Sequence, residues 1–161
     1  MYIELSEKSV YEHHCEIIKY ACMTSTKFAI IRAWETDDNC LDSKEMEEEL
    51  LPYLMEQITD KSKWLPYSPK SKNDVLLIYS CIPRVRKILQ RHPDACWLGN
   101  YMEKSCFADI CFYRGKNIWL AASNHENLIS FVETVEDLAF FKSINVLKKN
   151  DYFFKYLNGK L

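Results

Sequence analysis

Apolar residues recur every three or four positions in residues 7–23, which is the spacing of an amphipathic helix. The residues that show this spacing are Val10, Tyr11, His14, Cys15, Ile17, Ile18, Ala21 and Cys22. The compact apolar and aromatic run Phe28–Trp34 predicts a central strand. Val75–Ile82 is apolar along its whole length, and it therefore predicts a second strand in the interior of a sheet.

Between these strands the pattern again predicts a helix. Asp42 is a suitable cap, with Glu45 placed to reach back in a box-like arrangement. Pro52 removes a backbone donor, so the helix should kink there or divide into two short helices. Its predicted buried face comprises Met46, Leu50, Tyr53, Leu54 and Ile58. Pro83 suits the first turn of another short helix, with Val85, Ile88 and Leu89 facing inward.

The second half of the chain predicts a hairpin followed by a helix. Strands at Phe107–Tyr113 and Ile118–Ser123 would be joined across Arg114–Asn117, where glycine allows the positive dihedral of a tight turn. Residues 127–133 predict a further strand. Thr134 then starts a helix with Asp137 three residues later, and Asp151–Leu157 predicts a short final helix.

Together these elements predict an α+β fold. We expect a single domain over residues 1–161, with a largely antiparallel sheet of about four to six strands and helices packed on one side. The 161 residues are 48% hydrophobic, which is enough for a core without disulfides. Three glycines, five prolines and 14% aromatic residues argue against disorder.

The cysteines and the N-terminal residues indicate the cellular compartment of the protein. The seven cysteines lie mostly in apolar runs, where a free thiol behaves as a small hydrophobe, so no structural disulfide is expected. Residues 1–20 lack a basic start followed by an apolar run, and no segment approaches the roughly 18 apolar residues of a membrane span. We expect a cytoplasmic protein without a membrane partner, and the sequence leaves its oligomeric state open.

Charge is nearly balanced overall but unevenly distributed. The net charge is −2, which disfavours nucleic acid as a partner of the whole molecule. Eight acidic residues lie between Glu35 and Glu49 against one lysine, whereas Lys61–Arg91 holds eight basic residues against Asp74. An acidic segment of this kind suits a protein that blocks a basic cleft, although the same charges could simply stabilise a helix N-terminus or form a solvated helix face.

Motifs for metal and nucleotide chemistry are weak. Adjacent helical positions point about 100° apart, so His13, His14 and Cys15 cannot aim at one ion, and Cys22 does not supply zinc-like spacing. Cys106 and Cys111 would face opposite sides of a strand. No glycine-rich phosphate loop, dinucleotide fingerprint or serine elbow occurs, so we expect neither metal nor cofactor.

One alternative is a cysteine-nucleophile hydrolase. Cys96 at a loop end, with His125 about thirty residues later, could form a thiolate and its base. Glu133 or Asp137 would be the third member. Cys96-Trp97 resembles the nucleophile region of papain-like cysteine proteases, but the preceding glutamine and glycine of that family are absent. This hypothesis requires Cys96 to be exposed and within reach of His125.

A second alternative is an RNA-binding or phosphate-binding domain. Arg84, Lys87 and Arg91 share one face of the predicted helix, and Trp64 and Tyr67 lie in the preceding loop. The residue types fit binding by charge and stacking. No ribonucleoprotein or KH signature accompanies them.

The run from Cys111 to Glu126, in which aromatic residues precede the turn and Trp-Leu follows it, resembles strands of small bacterial immunity proteins of polymorphic or contact-dependent toxin systems. The resemblance covers about a tenth of the chain. It implies a non-catalytic protein that binds one cognate toxin and covers its active site, with Trp34 or Tyr53 as aromatic anchors. The interface would then comprise Glu35, Asp37, Asp38, Asp42, Glu45, Glu47, Glu48, Glu49 and Glu126.

Overall fold

A computed structural model describes six stretches of the chain, at residues 2–32, 41–60, 73–97, 107–123, 128–132 and 134–147. They contain seven strands and six α-helices. The strands are β1 (Tyr2–Glu4), β2 (Lys27–Arg32), β3 (Leu54–Ile58), β4 (Val75–Ser80), β5 (Phe107–Arg114), β6 (Asn117–Ser123) and β7 (Leu128–Val132). The helices are α1 (Glu7–Glu12), α2 (His14–Thr24), α3 (Leu41–Leu50), α4 (Pro83–Arg91), α5 (Pro93–Trp97) and α6 (Val135–Ser143).

All seven strands belong to one sheet, in the order β1-β7-β6-β5-β2-β4-β3, and every neighbouring pair is antiparallel. The predicted α+β class and antiparallel sheet are therefore confirmed. The described strands number seven rather than the expected four to six, because the edge strands β1 and β3 have no strong local signal. The apolar runs β2 and β4 pair with each other, which places both inside the sheet as predicted.

The helices pack on one face of the sheet, as predicted. Side chains alternate along β2, so Phe28 and Ile30 join the large core cluster, whereas Ala29 and Ile31 face the opposite side. Every buried apolar residue of the described helices belongs to the large cluster. The opposite face carries a smaller group, which comprises Ala29, Ile31, Leu76, Ile78 and Cys111.

A β-bulge interrupts the pairing of β2 with β5. Ala29 pairs with Cys111 and Ile31 with Ala108, so two residues of β5 lie opposite Ile30. Asp109, one of those two, is buried and has a φ of 54°. Aspartate tolerates this left-handed conformation better than most residues. Phe107 and Ile110, on either side of Asp109, both belong to the core cluster beneath the helices.

The predicted hairpin and the predicted helix start after it are both present. Arg114 pairs with Asn117 across a two-residue turn, and Gly115 has a φ of +62°. Glycine at the first position of such a turn is typical of the type II′ geometry. At the start of α6, Thr134 accepts a hydrogen bond from the Asp137 backbone N–H, and the Asp137 side chain accepts one from the Thr134 N–H. The expected capping box is thus complete.

Three local predictions are wrong. The helix expected over residues 7–23 is interrupted at His13, which ends α1 and precedes α2. Asp42 lies inside α3, which begins at Leu41, and so does not cap it. Pro52 lies in a single 3₁₀ turn, Leu51–Tyr53, after which the chain forms strand β3 instead of a second helix. The segment predicted as the final helix, Asp151–Leu157, lies outside the described residues.

The turn at Gly115 generates a stability prediction. A Cβ at this position would meet no atom within 4 Å, so the cost of Gly115→Ala comes from the backbone conformation alone. We expect a loss of about 1 kcal/mol in the free energy of unfolding, measured by urea denaturation. Gly115→Asn should cost less, because asparagine tolerates positive φ. Equal losses for the two variants would contradict this explanation, and Lys116→Ala is the control.

Candidate binding surfaces and the polar groups that support them

Only some of the acidic residues that were predicted to bind a partner are exposed and without an ion-pair partner among the described residues. Ser43, Met46 and Leu50 form the buried face of α3, and Glu45 and Glu48 lie on its exposed side. Neither of these two glutamates has an ion-pair partner among the described residues. The structure does not describe the side chain of Asp42, and Glu35, Asp37, Asp38 and Glu126 lie outside the described residues.

The other two glutamates of α3 are paired within the chain. Arg32 Nε of β2 lies 2.8 Å from Glu47 Oε1. The Glu49 carboxylate accepts a hydrogen bond from Arg91 of α4 and lies 3.1 Å from the nearly buried His92 Nε2. Part of the sequence's charge polarisation is therefore neutralised internally, because the acidic helix contacts the basic one.

The contacts of Glu49 with Arg91 and His92 join α3 to the end of α4, and a groove of about 600 Å³ lies beside them. Its lining contains Glu49, Tyr53, Arg84, Lys87, Ile88 and Arg91. The three cations are those that the sequence placed on one helix face, and the structure confirms that they line one surface. Tyr53 was predicted to lie on a buried helix face. The 3₁₀ turn at Pro52 instead places it, half-buried, at this groove.

Cys96 lies in α5 and is fully buried. Its Sγ is 3.9 Å from the Leu89 carbonyl oxygen. A buried thiol lacks the access that a nucleophile requires. His125 and Glu133 lie outside the described residues, and Asp137 binds Arg114 on another part of the fold. The described residues therefore contain no assembled cysteine site.

His14 is buried in the core, and hydrogen bonds satisfy both nitrogens of its ring. Trp97 Nε1 donates to His14 Nδ1 at 2.6 Å, and His14 Nε2 lies 2.8 Å from the Leu89 carbonyl oxygen. Nδ1 therefore accepts and Nε2 donates, which is the neutral imidazole. Within the described part of the chain, no group of three or more histidine, cysteine or acidic residues is placed to hold a metal ion.

The side chain of Asp137 is fully buried and makes several hydrogen bonds. Arg114 donates to both carboxylate oxygens, from Nη1 at 2.7 Å and from Nη2 at 2.6 Å. Tyr20 donates to Oδ1 at 2.8 Å, and the Thr134 N–H donates to Oδ2 at 3.2 Å. A carboxylate has about four acceptor sites, so the capacity of Asp137 is filled. Sequence reasoning found Asp137 as a helix cap but missed Arg114 and Tyr20.

Aromatic rings surround this ion pair. The Arg114 guanidinium lies 3.9 Å from the centroid of the Trp119 ring, and Tyr20 stacks on Phe140 with centroids 4.0 Å apart. Trp119 Nε1 donates to Ser25 Oγ at 2.7 Å. The guanidinium is therefore held by a carboxylate on one side and an aromatic face on the other.

The bonds around Asp137 decide its protonation. Burial by itself would raise the pKa of the Asp137 carboxyl, but hydrogen bonds from Arg114, Tyr20 and Thr134 outweigh it and hold the pKa below its ordinary value. Burial, and then the hydrogen bond to Asp137, raise the pKa of Tyr20 to about 12. The hydrogen bond to Asp137 raises the pKa of Arg114. Asp137 and Arg114 are therefore both charged at neutral pH, and Tyr20 keeps its proton.

No protein-family model matches the sequence, and no curated protein or solved structure is significantly similar to it. The resemblance of Cys111–Glu126 to strands of immunity proteins therefore remains a prediction. Of the helices that the structure describes, the longest has eleven residues, and none has the length and apolarity needed to span a membrane.

Asp137 generates a prediction about acid stability. Because its pKa is lower in the folded than in the unfolded chain, its stabilisation is complete above the ordinary value of about 3.8 and is lost as pH falls through the folded value. Asp137→Asn should cost about 3 kcal/mol at neutral pH, since it leaves the half-buried Arg114 guanidinium without its carboxylate. The measurement is urea unfolding at a series of pH values.

The matched control is Glu136→Gln, which removes an exposed carboxylate from the same first turn. We expect it to change stability by no more than about 0.5 kcal/mol. The stability difference between wild type and Asp137→Asn should shrink as the solution is acidified. A difference that stays constant down to about pH 2 would contradict the lowered pKa of Asp137.

Proposed function

We propose that this protein is a non-catalytic intracellular binding protein of the immunity type, which binds a cognate protein toxin through the exposed side of α3. The observation that carries the proposal is that Glu45 and Glu48 are exposed and unpaired among the described residues, while Glu47 and Glu49 are used inside the chain. The interface on α3 is thus narrower than the sequence suggested.

Two exposed apolar side chains that follow α3 in the chain support binding to a protein. Leu51, directly after α3, is 63% exposed, and Met55 in the edge strand β3 is 60% exposed. Protein interfaces combine a desolvated apolar centre with a charged rim, and exposed leucine and methionine can supply the centre. Glu45 and Glu48 would form the rim and attract a basic partner, whose association rate they would raise.

An acidic face favours a partner with a basic cleft, such as a nuclease that binds a phosphate backbone. Inhibition would follow from occupying that cleft and would need no catalytic group of this chain. The fully buried Cys96 fits such a role, since its thiol serves packing and is not presented at a surface.

The test is a comparison of two double charge reversals in a pull-down from the host lysate. Glu45→Lys with Glu48→Lys should abolish capture of a stoichiometric partner. Glu12→Lys with Glu16→Lys changes the net charge equally at exposed positions on other helices and should leave capture intact. Each variant is first compared with wild type by circular dichroism and thermal unfolding.

Capture alone does not establish inhibition, so the partner is then purified and its toxic activity is titrated with this protein. The proposal expects activity to fall to zero near one equivalent of wild type, with at least about a hundredfold more of the α3 variant needed. A partner that keeps its activity when bound, or capture that survives the α3 reversal, would overturn the proposal.

A further inference from the structure

The groove between α3 and α4 carries charge that the toxin-binding proposal does not use. Arg84, Lys87 and Arg91 follow one another at spacings of three and four residues, so they lie along one face of α4. All three are exposed and line the groove. Arg91 is already bound by Glu49, whereas Arg84 and Lys87 have no ion-pair partner among the described residues.

The charge of a suitable ligand should match the two unpaired cations, Arg84 and Lys87. A phosphate monoester carries about −1.5 to −2 charges at neutral pH, which these two side chains can neutralise. A long polyanion fits poorly, because the Glu49 carboxylate lies in the same groove and the whole chain has a net charge of −2. The charges therefore favour a ligand with a single phosphate group at this position.

The remaining lining residues suit a planar apolar group. Tyr53 presents an aromatic ring at the groove, and Ile88 gives it an aliphatic wall. Nucleic-acid bases stack on aromatic side chains, and a volume of about 600 Å³ lies within the range of small-molecule sites. Cations together with an aromatic ring distinguish this groove from a site for inorganic phosphate alone.

We propose that the groove binds a nucleoside monophosphate, with the phosphate on Arg84 and Lys87 and the base against Tyr53. The same chemical group occurs free and as the terminal nucleotide of an RNA strand. Glu49 keeps Arg91 in place and disfavours a second phosphate. This site is independent of Glu45 and Glu48, so it can exist whether or not the protein binds a toxin.

The experiment is isothermal titration calorimetry of the full chain with adenosine monophosphate, inorganic phosphate and a short single-stranded oligoadenylate with a 5′-phosphate. Adenosine monophosphate should bind more tightly than inorganic phosphate. Arg84→Ala with Lys87→Ala should weaken its binding by at least about tenfold. The control, Lys19→Ala with Lys116→Ala, removes the same charge at exposed positions elsewhere and should bind as wild type does.

A third variant separates the base from the phosphate. Tyr53→Leu should weaken binding of adenosine monophosphate severalfold while leaving any binding of inorganic phosphate unchanged. Circular dichroism of each variant shows whether it is folded. Oligoadenylate that binds no more tightly than the mononucleotide would identify a free nucleotide as the ligand, and tighter binding that weakens with salt would identify the end of an RNA strand.

Three results would overturn the proposal. The first is no binding of adenosine monophosphate at millimolar concentration. The second is equal affinity for adenosine monophosphate and inorganic phosphate, and the third is unchanged affinity in the Arg84 and Lys87 double variant. None of these results bears on the α3 surface, whose own test uses different residues and a different partner.

Discussion

The buried carboxylate of Asp137 needs hydrogen-bond donors in place of water, and several elements of the fold supply them. An ion without water is stable in a protein only when other groups replace the lost hydration, and here Arg114, Tyr20 and the Thr134 backbone do so. These groups come from the end of β5, from α2 and from the start of α6. One side chain thus fixes the relative positions of a hairpin and two helices, and the Trp119 ring beneath the guanidinium extends the same arrangement into β6.

Part of the charge that looks like a partner-binding feature in the linear sequence is structural in the folded chain. Glu47 and Glu49 hold Arg32 and Arg91, so the acidic helix is tied to β2 and to α4. Among the described residues of α3 and α4, Glu45 and Glu48 on one helix and Arg84 and Lys87 on the next are exposed and have no ion-pair partner.

The sequence predicted the elements whose signals are local. The apolar run that begins at Phe28, the glycine at position 115 and the cap at Thr134 each depend on a few neighbouring residues, and the structure contains the strand, the turn and the cap. The β3 strand was missed because its pairing with β4 decides its conformation, and its own spacing does not. Arg114 and Asp137 are 23 residues apart in the chain, and no sequence pattern predicts a contact between residues at that separation. The sequence predicted that Arg84, Lys87 and Arg91 share one helix face of the groove. It did not predict that Tyr53 lines the same groove, because tertiary packing brings Tyr53 there.

The bulge at Asp109 has a consequence for the two faces of the sheet. Phe107 and Ile110 are three residues apart, and in a regular strand an odd separation puts two side chains on opposite faces. Both nevertheless belong to the core beneath the helices, because the additional residue opposite Ile30 shifts the phase of the alternation by one. The alternation of β5 therefore changes phase at Asp109, and this change lets both Phe107 and Ile110 face the helical layer.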